Sequence, residues 1–113
     1  MPVTDKILGQ VAGTNSISSY NALYVVPAST NTVSSTIAIC NTAATAATYR
    51  IGLTASANSS PALQEHIVYG ASVPANDTVF LTLGVTMEAG KEILVASSAS
   101  TVVFSVFGSE KTP

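Results

Sequence analysis

Alternating apolar and polar positions dominate the last third of the chain. From Thr78 to Thr86, Val79, Leu81, Leu83 and Val85 fall on one side of an extended backbone, and Thr78, Phe80, Thr82, Gly84 and Thr86 fall on the other. That is the period of a strand with one buried face. Turn residues at Glu88-Ala89-Gly90-Lys91 and Ser97-Ser98-Ala99-Ser100 set it apart from apolar segments at Glu92 to Ala96 and Thr101 to Phe107, the last stopping at Gly108. Three strands in succession, joined by short turns, predict an antiparallel meander whose apolar face the rest of the chain must cover.

Upstream, the same period recurs in shorter pieces. Ile7-Leu8-Gly9-Gln10-Val11 reads as an edge strand or as an arm that adds to another subunit's sheet, Gly9 permitting a bulge or a close approach. Tyr20 to Val26 is a strand stopped by Pro27, and Val33 to Asn41 returns after a turn at Ala28 to Thr32, either as a hairpin partner or across a sandwich. Thr48 to Thr54 places Tyr49, Ile51 and Leu53 against Thr48, Arg50, Gly52 and Thr54. Ala55 to Leu63 is the longest predicted loop and hence a candidate contact surface. Gln64 to Tyr69 then puts Glu65, Ile67 and Tyr69 opposite His66 and Val68.

The sum is an all-β protein, a single antiparallel β-sandwich of about seven to eight short strands, with residues 1–14 as N-terminal arm or edge strand and 15–113 as the sandwich domain. Immunoglobulin-like and jelly-roll topologies both fit this pattern.

Composition changes the picture of the surface. Only 9% of residues are charged, against about 25% in an ordinary soluble domain. Hydrophobic residues reach 47% and the net charge is -2, so Ser, Thr and Asn must supply the polar surface and little repulsion keeps copies apart. That points to assembly. The cations Lys6, Arg50, Lys91 and Lys111 are scattered, which lacks the electrostatic footprint of a nucleic-acid binder. No apolar run reaches the roughly eighteen residues of a membrane-spanning helix, and the start lacks the blocks of a signal peptide, so synthesis in the cytoplasm and no membrane partner are expected.

Candidate chemistry is sparse. One His (His66), one Cys (Cys40) and six acids fall short of a zinc ligand set and form no EF-hand loop. No Ser occupies a nucleophile elbow, and the glycines form no phosphate loop. The residues therefore predict no enzyme, no cofactor and no metal. Phe80 lies opposite the Val79, Leu81 and Leu83 face, and Phe107 opposite Phe104, so rings on the outward side mark an interface or a second packing layer. With Ile7 and Leu8 of the N-terminal segment, Phe80 and Phe107 are the candidate interface residues.

Lys6-Ile7-Leu8-Gly9-Gln10, Leu23-Tyr24-Val25-Val26-Pro27, Ile39-Cys40-Asn41, Pro74-Ala75-Asn76-Asp77-Thr78 and Phe104 to Glu110 together resemble small virion proteins encoded by tailed bacteriophages, notably cyanophages. The resemblance spans nearly the whole chain and consists of strand and turn patterns. It implies a multicopy virion structural protein, a capsid decoration or cement, or a tail, neck or baseplate accessory. Such a protein would associate with itself, a trimer being the expected unit, and with capsid or tail subunits. The competing expectation is a host-surface adhesion or carbohydrate-binding module using the loops at Asn41 to Ala47 and Ala55 to Leu63.

Overall fold

The computed structural model describes residues 3–54 and 61–112. Among the described residues, period-2 patterning produces eight strands: β1 (Val3–Ala12), β2 (Asn21–Val25), β3 (Asn31–Asn41), β4 (Ala47–Thr54), β5 (His66–Val73), β6 (Thr78–Met87), β7 (Glu92–Ser97) and β8 (Val102–Lys111). Alternation translates directly into burial on the strands at the centre of a sheet. On β3, Ile37, Ile39 and Asn41 are sealed while Ala38 and Cys40 between them are half-buried; on β8, Val102, Phe104 and Val106 are sealed while Val103 and Ser105 are not.

Two four-stranded antiparallel sheets stack face to face, with orders β1-β8-β3-β6 in the first and β2-β7-β4-β5 in the second. The pairs β1/β8, β2/β7, β3/β6 and β4/β5 are nested, as in one long hairpin folded over on itself. Of the connections, only β4 to β5 joins neighbours in one sheet, and every other connection crosses the sandwich. That is jelly-roll topology, which resolves the choice that strand pattern left open.

The expected meander of the last three strands is not formed. β6 pairs with β3, β7 lies in the second sheet between β2 and β4, and β8 lies between β1 and β3. The physical reason shows in β7 itself, where Ile93, Leu94, Val95 and Ala96 are buried in succession, so it is a central strand covered on both faces and not one side of a hairpin ribbon. Its turn is held by the end of β2, its neighbour in the same sheet, instead: the Val26 amide donates to the Lys91 carbonyl and the Gly90 amide to the Val26 carbonyl. β2 and β3 likewise cross the sandwich rather than pair.

The core fills the space between the inner faces. Tyr49 from β4 meets Phe104 from β8 edge-on, ring centroids 6.2 Å apart, with Ile37, Ile39, Ile51, Ile93 and Val95 around them. At the edge the sheets converge on Gly9, where a bulge shifts the β1/β8 register and a Cβ would come within 2.1 Å of the Leu23 carbonyl oxygen. One end of the sandwich is tied by Asn41, which is 1% exposed. Its Nδ2 donates to the carbonyls of Thr45 (2.7 Å), Pro74 (3.3 Å) and Val73 (3.4 Å), and its Oδ1 accepts from the Ala43 amide (3.1 Å). The Thr101 hydroxyl also reaches Asn41 Oδ1 at 3.5 Å and the Thr42 amide and hydroxyl donate to the Thr101 carbonyl, so three loops are held by Asn41 and Thr42 together.

Candidate functional site

The outward face of the first sheet is built by register. Reading across β1, β8, β3 and β6, its rows are Asp5, Ser109, Val33, Thr86; then Ile7, Phe107, Thr36, Thr82; then Gln10, Ser105, Ala38, Phe80; then Ala12, Val103, Cys40, Thr78. Asp5 is the single charged residue in those rows. Phe80 is 65% exposed and Ile7 55%, while Phe107, flanked by Ile7 and Thr36, is half-buried. Phe80 stands two strands and one row from Phe107, roughly 12 Å away on standard sheet spacings. A shallow depression of about 360 Å³ opens beside Phe107, between it, Asp5 and Val33. Leu8 does not share this face; it sits at the bulge and packs on the core rim.

On the alternate positions of β1 and β8, Lys6 and Glu110 neutralise each other. Lys6 Nζ lies 2.8 Å from Glu110 Oε1, and the Tyr24 hydroxyl, from the opposite sheet, donates to Glu110 Oε2 and lies 2.8 Å from Thr32 Oγ1. Burial, and then the Glu110 carboxylate beside it, push the Tyr24 phenol up to about 12. The hydrogen bonds from Lys6 and Tyr24 hold the Glu110 carboxyl below its ordinary value.

The outward face of the second sheet carries a different cluster. Arg50 Cζ sits 4.0 Å above the Tyr69 ring centroid, and His66 meets Tyr69 edge-on at 4.9 Å. Tyr20 Oη lies 2.7 Å from His66 Nε2. With His66 Nδ1–H donating to the Leu63 carbonyl at 3.4 Å, Nε2 accepts the Tyr20 hydroxyl proton. Arg50 Nε is buried without a hydrogen-bond partner, and Arg50 has no carboxylate partner among the described residues. Strict alternation puts His66 and Tyr69 on opposite faces and so missed this cluster. A bulge at Ile67 is the reason: Arg50 pairs with Tyr69 and Gly52 with His66, which turns both rings outward. The strand also starts later than the sequence predicts, since Leu63–Glu65 forms a 3-10 turn whose Glu65 side chain accepts from the Ala62 amide at 2.7 Å.

Of the loop predicted at Ala55 to Leu63, residues 55–60 lie outside the described residues. Among the described residues, no three His, Cys, Asp or Glu side chains converge as a metal site would require. Cys40 is half-buried on the outward face of the first sheet.

No protein-family model matches the chain, and the search of curated proteins found no relative. Among solved structures, the chain is similar to one in the T13 viral particle of infectious bursal disease virus, with TM-score 0.56 and 6% identity over 96% of this chain and 30% of that one. A chain of the Gx strain of the same virus gives TM-score 0.54 and 7% identity over 96% of this chain and 32% of that one. A pentameric capsid protein from metagenomic phage sequences aligns over 97% of this chain and 60% of that one, at 16% identity and TM-score 0.29. The chain thus spans about a third of the length of the bursal disease virus chains it matches, 30% and 32%. At these identities the likeness to the bursal disease virus chains is one of fold.

Proposed function

We propose that this chain is a virion structural protein, a small jelly-roll subunit present in many copies that packs against itself and against a larger protein shell of a bacteriophage particle. As capsid decoration or cement, or as a tail, neck or baseplate component, its work is binding and not catalysis. The observation that carries this reading is the outward face of the first sheet, with one charge in four rows and with Phe80 and Ile7 standing exposed among Ser, Thr and Ala. Faces of that kind match the charge-depleted cores of protein interfaces. The likeness in fold to chains of a virus particle, over 96% of this chain, supports the same direction.

The test is solution mass by light scattering across a dilution series. The wild-type protein is expected as a closed unit, a trimer with three times the chain's 11.5 kDa, and Phe80→Asp, Phe107→Asp and Ile7→Asp are expected to lose the trimer while remaining folded. A wild-type chain that stays monomeric at every concentration refutes self-association.

One observation favours a second reading, a host-surface adhesion or carbohydrate-binding module: the Arg50, His66 and Tyr69 platform, whose Tyr69 is 56% exposed. On that reading the isolated protein binds a glycan panel or host cells, and Tyr69→Ala abolishes the binding. Absence of binding by the wild type across the panel removes it.

A further inference from the structure

The two sheets have four edges, and three are blunted. Every edge strand leaves a row of backbone N–H and C=O groups without partners, a template for another strand. β1 carries Asp5 and Lys6 and is bulged between Ile7 and Gly9. β2 is only five residues long, with a register shift between Ala22 and Tyr24. β5 is broken by two register shifts and by Gly70 at φ 77°. β6 has ten residues without a charge or a proline; its pairing with β3 shifts register between Thr82 and Val85 but runs unbroken from Thr78 to Thr82.

The side chains of β6 are as open as its backbone. On the neighbouring β3 the inward Ile37 and Ile39 are sealed, but the inward Val79, Leu81 and Val85 of β6 pack on the core and still remain half-exposed. On the other face Phe80, Thr82 and Gly84 are exposed, and a Cβ built on Gly84 would meet no atom within 4 Å. A strand laid beside β6 would therefore cover apolar flanks on both faces in addition to completing the ladder.

We propose that the occupant is β6 of a second copy of this chain, antiparallel about a two-fold axis, so that two first sheets join into one continuous sheet. This rests on the self-association reading above. Three features select this partner. Two copies of an uncharged strand bring no like charges into opposition. The strand period sets the inward Val79 and Leu81 rows of one copy against those of the other, and the Phe80 and Thr82 rows likewise. A two-fold contact also closes on itself and leaves no new edge to propagate. It is a contact separate from the outward-face contact that closes the trimer, and it would tie one closed unit to the next. A pairing of about five residues a side is smaller than the roughly 800 Å² per partner of a standard interface, so it should form and dissociate within an accessible concentration range.

Hydrogen exchange read by mass spectrometry on the full chain, alongside light scattering at the same concentrations, tests this. As concentration rises through the association range, the β6 amides that point away from β3 are expected to slow by about tenfold or more, while amides of the equally peripheral β5 stay unchanged. Thr82→Lys, an exposed change outside the core, is expected to keep fast β6 exchange at every concentration and to melt close to wild type. Phe107→Asp, remote from the edge, should leave the concentration-dependent β6 protection in place. Association with unchanged β6 exchange, or with protection at β1, β2 or β5 instead, overturns the edge contact and leaves self-association standing. No association at any concentration overturns both.

Discussion

Glu110 joins an exposed cation to a buried phenol, and its protonation state is therefore part of the fold. Lys6 and Tyr24 both favour its charged form, so its pKa lies below the ordinary value of 4.5. A carboxyl depressed in this way contributes stability that is complete above its unfolded value and is lost as pH falls through the folded one. Melting temperature should accordingly fall below about pH 4.5 more steeply in the wild type than in Glu110→Gln. Parallel acid limbs would show that the pair contributes nothing. Tyr24, raised to about 12 from 10.0, works in the opposite direction: its contribution is complete below pH 10 and is lost on the way to 12. Removing the hydroxyl by Tyr24→Phe strips a charge-assisted bond from a residue 8% exposed, and should cost about 1 to 3 kcal/mol in urea denaturation.

At the scale of elements, Asn41 shows how much one side chain can hold. Asn41→Ala leaves the carbonyls of Thr45, Val73 and Pro74 without their donor at a buried site, and a loss of about 2 to 4 kcal/mol is expected from denaturant unfolding, with the slope unchanged. The strands themselves were legible in the sequence, because alternation at Tyr49 and Ile51 or at Phe104 and Val106 is a local property of the chain. Their partners were not. Glu88 to Lys91 and Ser98 to Thr101 are as suitable for a crossing connection as for a hairpin, and only the unbroken burial of Ile93 to Ala96 marks β7 as central. A bulge is invisible for a similar reason: nothing in His66-Ile67-Val68-Tyr69 announces that Ile67 is the extra residue, and with it went the Tyr20, Arg50, His66 and Tyr69 cluster. Phe80 was readable as outward from β6 alone, whereas the charge-poor face to which it belongs exists only once four strands from distant parts of the chain are in register.

The whole molecule is a thin slab, 45 × 26 × 18 Å, in which every sheet pairing except β4 with β5 joins strands that are not consecutive in the chain. Such nesting must close long loops before most contacts form, and it places refolding in the range of milliseconds to seconds that non-local β topologies occupy. Stopped-flow refolding in the microsecond range would contradict the topology. The nesting also sets a clock during synthesis. β1 ends at Ala12 and its partner β8 begins at Val102, so at about 5 to 20 residues per second the ribosome needs roughly 5 to 20 s to supply the strand that β1 must pair with. Throughout that interval Ile7 and Leu8 have no ladder to join, and no truncated chain can present the finished outward face. Translation to the last strand is thus a checkpoint: the outward face is complete only when the chain has been made almost to Lys111.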